Sequence, residues 1–246
     1  MASSSVASKL IRLDRPGWGA QLERLVESGS LSMEEACQQL LTKRSKISVE
    51  TTTTTTTVPQ DVLTISKYVG DLKTVPRTGW VNRKVPSRIE SVAEHSYRTA
   101  VMGLLLNDES LDVGRVVSIA LVHDLAESIV GDITPDQGMS DEDKRKHEED
   151  AMKTILIGKL KAPAAYGKVM ELWQEYEDRK TPEGKTVKDL DRLEMVLQAN
   201  EYEIRHPELD LSDFFNSVRG KFTHPSVNHW FEELEAARNE RRRKQS

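Results

Sequence analysis

Apolar residues recur at helical spacing along most of the chain, and no segment sustains the period-two alternation of a strand. The stretch 113–130 is apolar on most of its sides, which is typical of a central, buried helix. Other helices are predicted over residues 61–72, 95–106, 140–160, 164–177 and 185–204, with a last amphipathic helix that contains Trp230, Phe231 and Leu234. The pattern therefore predicts an all-α domain.

The segment before residue 61 differs in character from the rest of the chain. Residues 20–44 show apolar positions at helical spacing, and Ser32 followed by Glu35 forms a capping-box pattern, which predicts a short helical hairpin. The threonine run 51–57 has no apolar face to bury, so we interpret it as a linker. These patterns divide the chain into an N-terminal helical extension (1–45), a Thr-rich linker (46–60), a main domain (61–235) and a charged C-terminal tail (236–246).

The composition limits the classes of binding partner and the cellular compartment that we expect. The 246-residue chain has a net charge of −5, which predicts no general attraction to nucleic acid polymers. Because no apolar run approaches the roughly 20 residues of a membrane helix, no membrane partner is expected. The single cysteine, Cys37, fits a reducing, cytoplasmic location. A nuclear tail at 241–244 and an organellar transit peptide at 1–13 are the alternatives.

Potential metal ligands occur in three of the predicted helices. His123 and Asp124 lie in the most apolar helix, where an unpartnered, ionised carboxylate would cost several kcal/mol. His95 lies on an earlier helix, and a later helix offers carboxylates at Asp189 and Asp191, between which spacing alone cannot choose. Together these residues predict a buried site for one divalent cation.

The ligand types restrict the metal. Imidazole nitrogens and carboxylate oxygens without a thiolate argue against a structural zinc site. They suit Mn²⁺, Co²⁺, Fe²⁺ or Ni²⁺, with Mg²⁺ and Zn²⁺ as alternatives. Glu127 follows His123 by four residues and Asp124 by three, so it projects from the same side of the helix. It is therefore a candidate general acid or base beside the cation.

A basic, irregular loop precedes and overlaps the helix that carries His95. It contains Arg77, Arg83, Lys84, Arg88 and Arg98 against Glu90 and Glu94, and it holds Trp80. Guanidinium groups bind phosphate oxygens in pairs, and an indole face packs on a base or a sugar. The loop therefore predicts a mononucleotide site, with a solvated basic loop as the alternative.

Four strings in the main domain resemble a known family. The order His, then His-Asp, then Asp is similar to the HD-domain phosphohydrolase superfamily, and more narrowly to its 5′-deoxynucleotidases of the HD domain-containing protein 2 and YfbR type. The strings are Val92-Ala-Glu-His95-Ser-Tyr-Arg, His123-Asp-Leu-Ala-Glu-Ser-Ile-Val-Gly-Asp-Ile-Thr-Pro135, Glu171-Leu-Trp-Gln-Glu-Tyr-Glu177 and Lys188-Asp-Leu-Asp-Arg-Leu-Glu-Met195. The likeness spans about residues 61–205 and implies an all-α HD-domain helical bundle.

The resemblance assigns roles residue by residue. It implies the metal ligands His95, His123, Asp124 and Asp191. It places Glu127 at the catalytic carboxylate position, Asp132 near the substrate sugar, and Glu175 at a further acidic position near the site. Support of the ligands is the role expected for Glu175, with a surface acid as the alternative. Arg77 and Trp80 match the basic and aromatic residues that contact phosphate and exclude a ribose 2′-hydroxyl, although bacterial members have these two residues adjacent.

The predicted reaction is the hydrolysis of a 2′-deoxyribonucleoside 5′-monophosphate to a deoxynucleoside and phosphate by a metal-dependent phosphomonoesterase. An HD-type phosphodiesterase or a nucleoside triphosphate hydrolase is the first alternative. No glycine-rich phosphate cradle is visible, which makes triphosphates less expected. A catalytically silent nucleotide-binding scaffold is the alternative from another class. A homodimer is expected from the resemblance alone.

Overall fold

The computed structural model describes residues 59–134, 137–156 and 163–245. In these ranges the chain forms ten α-helices and one isolated antiparallel bridge between Pro76 and Ser91, which confirms the all-α class. The helices are α1 (Pro59–Asp71), α2 (Thr78–Asn82), α3 (Val92–Gly103), α4 (Val113–Val122), α5 (Glu127–Val130), α6 (Asp141–Leu156), α7 (Pro163–Asp178), α8 (Pro182–Arg205), α9 (Ser212–Val218) and α10 (Pro225–Gln245).

Helix α8 is the centre of the main core. It packs against α3, α4, α7, α9 and α10, and its apolar residues at helical spacing are almost completely buried. These residues are Val187, Leu190, Leu193, Val196, Ala199 and Tyr202. Helices α3 and α4 approach closely at Gly103, where an added Cβ would lie 3.1 Å from a methyl carbon of Val116. This packing fixes α3, α4 and α8 around one another.

Helix α3 begins three residues earlier than the pattern predicts. Ser91 is its N-cap, and a capping box joins the Ser91 side chain to the backbone of Glu94 and the Glu94 side chain to the backbone of Ser91. The bridge between Pro76 and Ser91 closes the base of the basic loop at the same point. The loop and the helix that carries His95 therefore share one anchor.

The predicted continuous helix 113–130 is wrong, because α4 ends at Val122 and α5 begins at Glu127. Between them the amide of Leu125 donates to Val122 O and that of Glu127 donates to Asp124 O, a tighter i→i−3 pattern. Gly131 follows with φ of +76°, a left-handed value that favours glycine. The tight turn places His123 and Asp124 at the junction of two helices.

The boundaries of the domains stay predictions, but the last one falls inside α10. This helix continues through residue 245, and Arg238 on it is buried against Glu203 with both Nε–Oε2 and Nη2–Oε1 distances at 2.7 Å. The predicted hairpin at 20–44 and the threonine run lie outside the described residues. Among the helices that the structure describes, none has the length and apolar character needed to cross a bilayer.

Candidate metal and phosphate site

Four predicted ligands from three places in the fold converge at one point. His95 comes from α3, His123 and Asp124 come from the turn after α4, and Asp191 comes from α8. His95 Nε2 lies 3.2 Å from Asp191 Oδ1 and 3.6 Å from Asp124 Oδ2, and His123 Nε2 lies 3.1 Å from the same Asp124 oxygen. The structure thus brings the four side chains together, and ligand atoms of His95, His123 and Asp191 all lie within 4.8 Å of one another.

The two histidines are prepared to bind a cation through Nε2. Both Nε2 atoms are buried and have no hydrogen-bond partner. Each Nδ1 is occupied: that of His95 by Glu194 Oε2 at 2.5 Å, and that of His123 by Ala120 O at 2.8 Å. A buried nitrogen without a partner is costly unless something binds it, so these residues fit a divalent metal ion.

Asp191 is held from the side that faces away from the histidines. Its Oδ2 accepts hydrogen bonds from Tyr176 Oη at 2.6 Å and from Lys188 Nζ at 2.9 Å, which leaves Oδ1 toward His95. Burial opposes ionisation of Asp191, but Lys188 and the histidines outweigh it and hold its pKa well below the ordinary value. The carboxylate is therefore charged and aimed at the cluster.

The charges around His95 show how strongly the site favours a cation. Burial and the nearby Arg77 lower the pKa of His95, yet the carboxylates of Glu194 and Asp191 outweigh both and raise it to about 10. The pKa of Asp124 is lowered as well, because His123, His95 and Arg77 outweigh its burial. The carboxylates around His95 thus favour positive charge at this point of the fold.

Glu127 lies at the start of α5, directly after the ligand pair, and is 2% exposed. Its Oε2 is buried and has no hydrogen-bond partner. Burial raises its pKa well above the ordinary value, and the negative charges of Asp124 and Asp132 add to the effect. Glu127 therefore keeps its proton to a higher pH than a free glutamic acid does.

Asp132 connects the basic loop to the ligand cluster. Its Oδ2 accepts from the backbone N–H of Thr78 at 2.6 Å, and its backbone oxygen accepts from Thr78 Oγ1 at 2.6 Å. Arg77 Nη1 lies 3.3 Å from Asp132 Oδ1 and 3.5 Å from Asp124 Oδ2. Arg77 is thus the arginine of the loop that faces the ligands directly.

The described domain matches a known family over most of its length. The chain matches the HD domain over residues 69–230. It belongs to the HD-domain family. Human 5′-deoxynucleotidase HDDC2 is 47% identical over 181 residues, which cover 73% of this chain and 87% of the human protein.

Solved structures agree with this assignment. A conserved hypothetical protein from Pyrococcus furiosus is 34% identical with a TM-score of 0.59, and the match covers 70% of this chain and 98% of that one. A protein named a predicted metal-dependent phosphohydrolase from Magnetospirillum magnetotacticum is 27% identical with a TM-score of 0.57, over 74% of this chain and 95% of that one. Both structures are more than 25% identical to this chain, so their likeness agrees with the HD-domain assignment.

Trp80, expected at the sugar, lies inside the HD domain at 1% exposure. Its ring packs on Phe214 with centroids 4.5 Å apart and on Tyr202 at 5.4 Å, and its Nε1 donates to Glu90 Oε2 at 3.3 Å. The ring therefore anchors the loop to the hydrophobic core.

Glu175 does not touch the ligand cluster in the HD domain. It accepts hydrogen bonds from Arg115 Nε at 2.7 Å and from Thr181 Oγ1 at 2.5 Å, so it joins α7 to α4 and to the start of α8. Its neighbour Tyr176 contacts Asp191 instead. Asp189, the alternative ligand, accepts from the backbone N–H of Thr223 at 2.6 Å, just before α10.

Sequence reasoning missed two pairs of residues. Lys144 and Glu148 on α6 are 3.5 Å apart. Burial lowers the pKa of Lys144, but the negative charge of Glu148, and after it those of Glu127, Asp124 and Asp132, outweigh burial and raise it. The many charges of this helix are typical of a solvated surface, so its composition does not indicate an inward face. Glu194 and Lys188 lie three residues on either side of Asp191, a spacing that places side chains on one helix face and that offered the missing signal.

Proposed function

We propose that this chain is a metal-dependent 5′-deoxynucleotidase, which hydrolyses 2′-deoxyribonucleoside 5′-monophosphates to the deoxynucleoside and phosphate. The observation that carries the proposal is the pair of unpartnered Nε2 atoms of His95 and His123, which face two ionised aspartates. The name of the human relative supplies the class of substrate, at 47% identity over most of both chains.

His95, His123, Asp124 and Asp191 would hold the cation. A divalent ion bound there supplies Lewis-acid activation of water and of the phosphoryl group. The chain provides no thiolate at this point, so the ligand set suits Mn²⁺ or Co²⁺, with Mg²⁺, Fe²⁺, Ni²⁺ and Zn²⁺ as alternatives.

Glu127 manages the proton in this proposal. Its burial keeps the carboxyl protonated at a pH where a free glutamic acid has ionised, so it can donate to the departing 5′-oxygen. After donation Glu127 is negatively charged, and the positive charges of Arg77 and Lys144 stabilise this form because both lower its pKa.

Arg77 and Lys144 are the cations that would receive the phosphate. Arg77 comes from the loop and Lys144 from α6, so they reach the carboxylate cluster from two elements. A guanidinium binds two phosphate oxygens, and an ammonium adds a point charge. Asp132, bonded to Thr78, lies beside them and would orient the sugar. Trp80 has an indirect role in this proposal, because its buried ring positions the loop that carries Arg77.

A panel of phosphate release tests the function. Purified protein is given deoxy- and ribonucleoside 5′-monophosphates with each candidate metal, and deoxy-AMP with Mn²⁺ or Co²⁺ should release phosphate. Equal turnover of AMP and deoxy-AMP would remove the specificity for deoxyribose and leave a phosphatase. Release from a triphosphate or a cyclic dinucleotide alone would overturn the proposal.

A homodimer is the second part of the proposal. Tyr97, Val101, Leu104 and Leu105 lie at helical spacing along and just beyond α3, and all four are exposed. An exposed apolar stripe of this kind favours burial against another surface. Light scattering of the protein and of Leu105→Glu tests it, since the variant should be a monomer. The cytoplasmic location stays a prediction from the single cysteine.

A further inference from the structure

We infer that Glu194, clamped by Arg98, is a positioning residue that holds His95 with Nε2 directed at the cation. The inference rests on the proposed metal centre and adds a residue that the family's ligand pattern does not contain. Glu194 lies on α8, three residues after Asp191, so one helix would supply both a ligand and the support of another ligand.

The contact between Glu194 and His95 is direct and sealed from water. Glu194 Oε2 lies 2.5 Å from His95 Nδ1, and both side chains have no exposed surface. A carboxylate can only accept, so Nδ1 carries the hydrogen and Nε2 presents its lone pair. The carboxylate also raises the basicity of the imidazole as a ligand.

Glu194 is in turn fixed by a guanidinium. Arg98 Nε donates to Glu194 Oε1 at 2.7 Å, and the rest of the Arg98 group is spread over Gln198 at 2.7 Å, Glu201 at 2.8 Å and Glu90 at 3.3 Å. The positive charge explains why a carboxylate can be ionised at a fully buried position. Because Arg98 contacts both Glu90 and Glu194, we assign these two acids to the support of His95 rather than to a second metal ion.

The other histidine is supported in a different way. His123 Nδ1 contacts the backbone oxygen of Ala120 at 2.8 Å, a neutral acceptor inside the same turn. His95 has no such local partner and depends on a side chain 99 positions away in sequence. Removing the charge of Glu194 should therefore affect one ligand and leave the other in place.

The same network reaches the loop. Glu90, which accepts from Arg98, also accepts from Trp80 Nε1 at 3.3 Å, and its backbone N–H donates to Tyr202 Oη at 2.9 Å. A chain of hydrogen bonds, buried except at the partly exposed Arg98, thus runs from Trp80 through Glu90, Arg98 and Glu194 to His95. Arg98 therefore contacts the loop through Glu90 and helix α8 through Glu194.

The test is the affinity for Co²⁺ of the full chain, measured by calorimetry without substrate. Glu194→Gln keeps the shape but removes the charge, and it should weaken Co²⁺ binding by about 10–100-fold. Glu201→Gln is the matched control, because Glu201 also binds Arg98 but does not touch His95. It should bind Co²⁺ within about two-fold of the original chain.

Co²⁺ affinity unchanged in Glu194→Gln, or lowered equally in Glu201→Gln, would overturn the inference. If Glu194→Gln fails to fold, the original chain itself decides. Histidine labelled with ¹⁵N and bound to Zn²⁺ should show His95 protonated at Nδ1, with the signal assigned by its loss in His95→Gln. Protonation at Nε2 would overturn the inference. These measurements do not depend on phosphate release, so a failure of the nucleotidase proposal would be seen separately.

Discussion

The ligand cluster and the part of the basic loop that precedes α3 (residues 77–90) differ in how well the sequence predicted where their side chains lie. In the cluster, His95, His123, Asp124 and Asp191 meet as their residue types predict. In the loop, Arg77 faces the site, but Trp80 is turned into the core. A buried charge has few acceptable surroundings, whereas an aromatic ring in a loop is stable either in the core or against a ligand.

Removal of the charge of one predicted ligand has the largest expected effect and tests the ligand cluster directly. Asp124→Asn keeps the size but loses the charge that faces both histidines, and it should reduce phosphate release from deoxy-AMP by more than about a thousand-fold. Phosphate release at saturating Mn²⁺ measures this. Asp150→Asn, exposed on α6, is the control and should retain full activity. An active Asp124→Asn would remove this residue from the site.

Substitutions of Trp80 distinguish a role in the hydrophobic core from a role in substrate binding. Trp80→Ala empties a fully buried position and should lower the free energy of unfolding by about 3–5 kcal/mol, measured by urea denaturation. Trp80→Phe retains most of the packing on Phe214 and Tyr202 and should cost less. A loss below about 0.5 kcal/mol in Trp80→Ala, combined with a raised KM, would place the ring at the substrate instead.

Glu90, which joins the two regions, predicts a dependence of stability on pH. Burial raises its pKa from 4.5 to about 8, and the charge of Glu194 adds to this. Between these values the folded chain keeps a proton that the unfolded chain releases. The free energy of unfolding should therefore fall as pH rises through this window, by at most about 1.4 kcal/mol per pH unit from this group.

Glu90→Gln has no proton to release, so its stability should fall less steeply between pH 5 and pH 8 than that of the original chain. Urea denaturation at several pH values with a chelator present measures the difference. Parallel curves for the two proteins would show that Glu90 is already ionised in the folded state.

The smallest expected effect is at Ser91, the anchor shared by the loop and α3. Ser91→Ala removes the acceptor for the Glu94 backbone and should cost about 1 kcal/mol of unfolding free energy. Ser91→Thr retains a hydroxyl and should cost less. If thermal melting shows equal stability for Ser91→Ala and the original chain, the capping box contributes nothing to the placement of His95.

The sequence predicted the class of fold and the family because both depend on repeated or specific patterns. The all-α class follows from helical spacing, and the HD domain is confirmed over residues 69–230. The predicted 5′-deoxynucleotidase function agrees with the names of curated relatives. The interruption between α4 and α5 was not predictable, because apolar residues continue through it and hydrophobic spacing does not distinguish an α-turn from a 3₁₀ turn.

The supporting residues were missed for a related reason. Lys144 and Glu148 lie on a helix with charges on most sides, so nothing in its composition indicates which charges face inward. Glu194 shares a helix face with Asp191, which spacing could have indicated, but its ion pair with Arg98 comes from another helix. Such pairs depend on tertiary packing between distant segments, which one sequence does not reveal.

The central claim is that four side chains hold one cation, and anomalous X-ray diffraction from crystals grown with Mn²⁺ tests it most directly. The account predicts one strong peak within coordination distance of both Nε2 atoms and of the carboxylates of Asp124 and Asp191. A peak elsewhere in the domain, or none at saturating Mn²⁺, would contradict it.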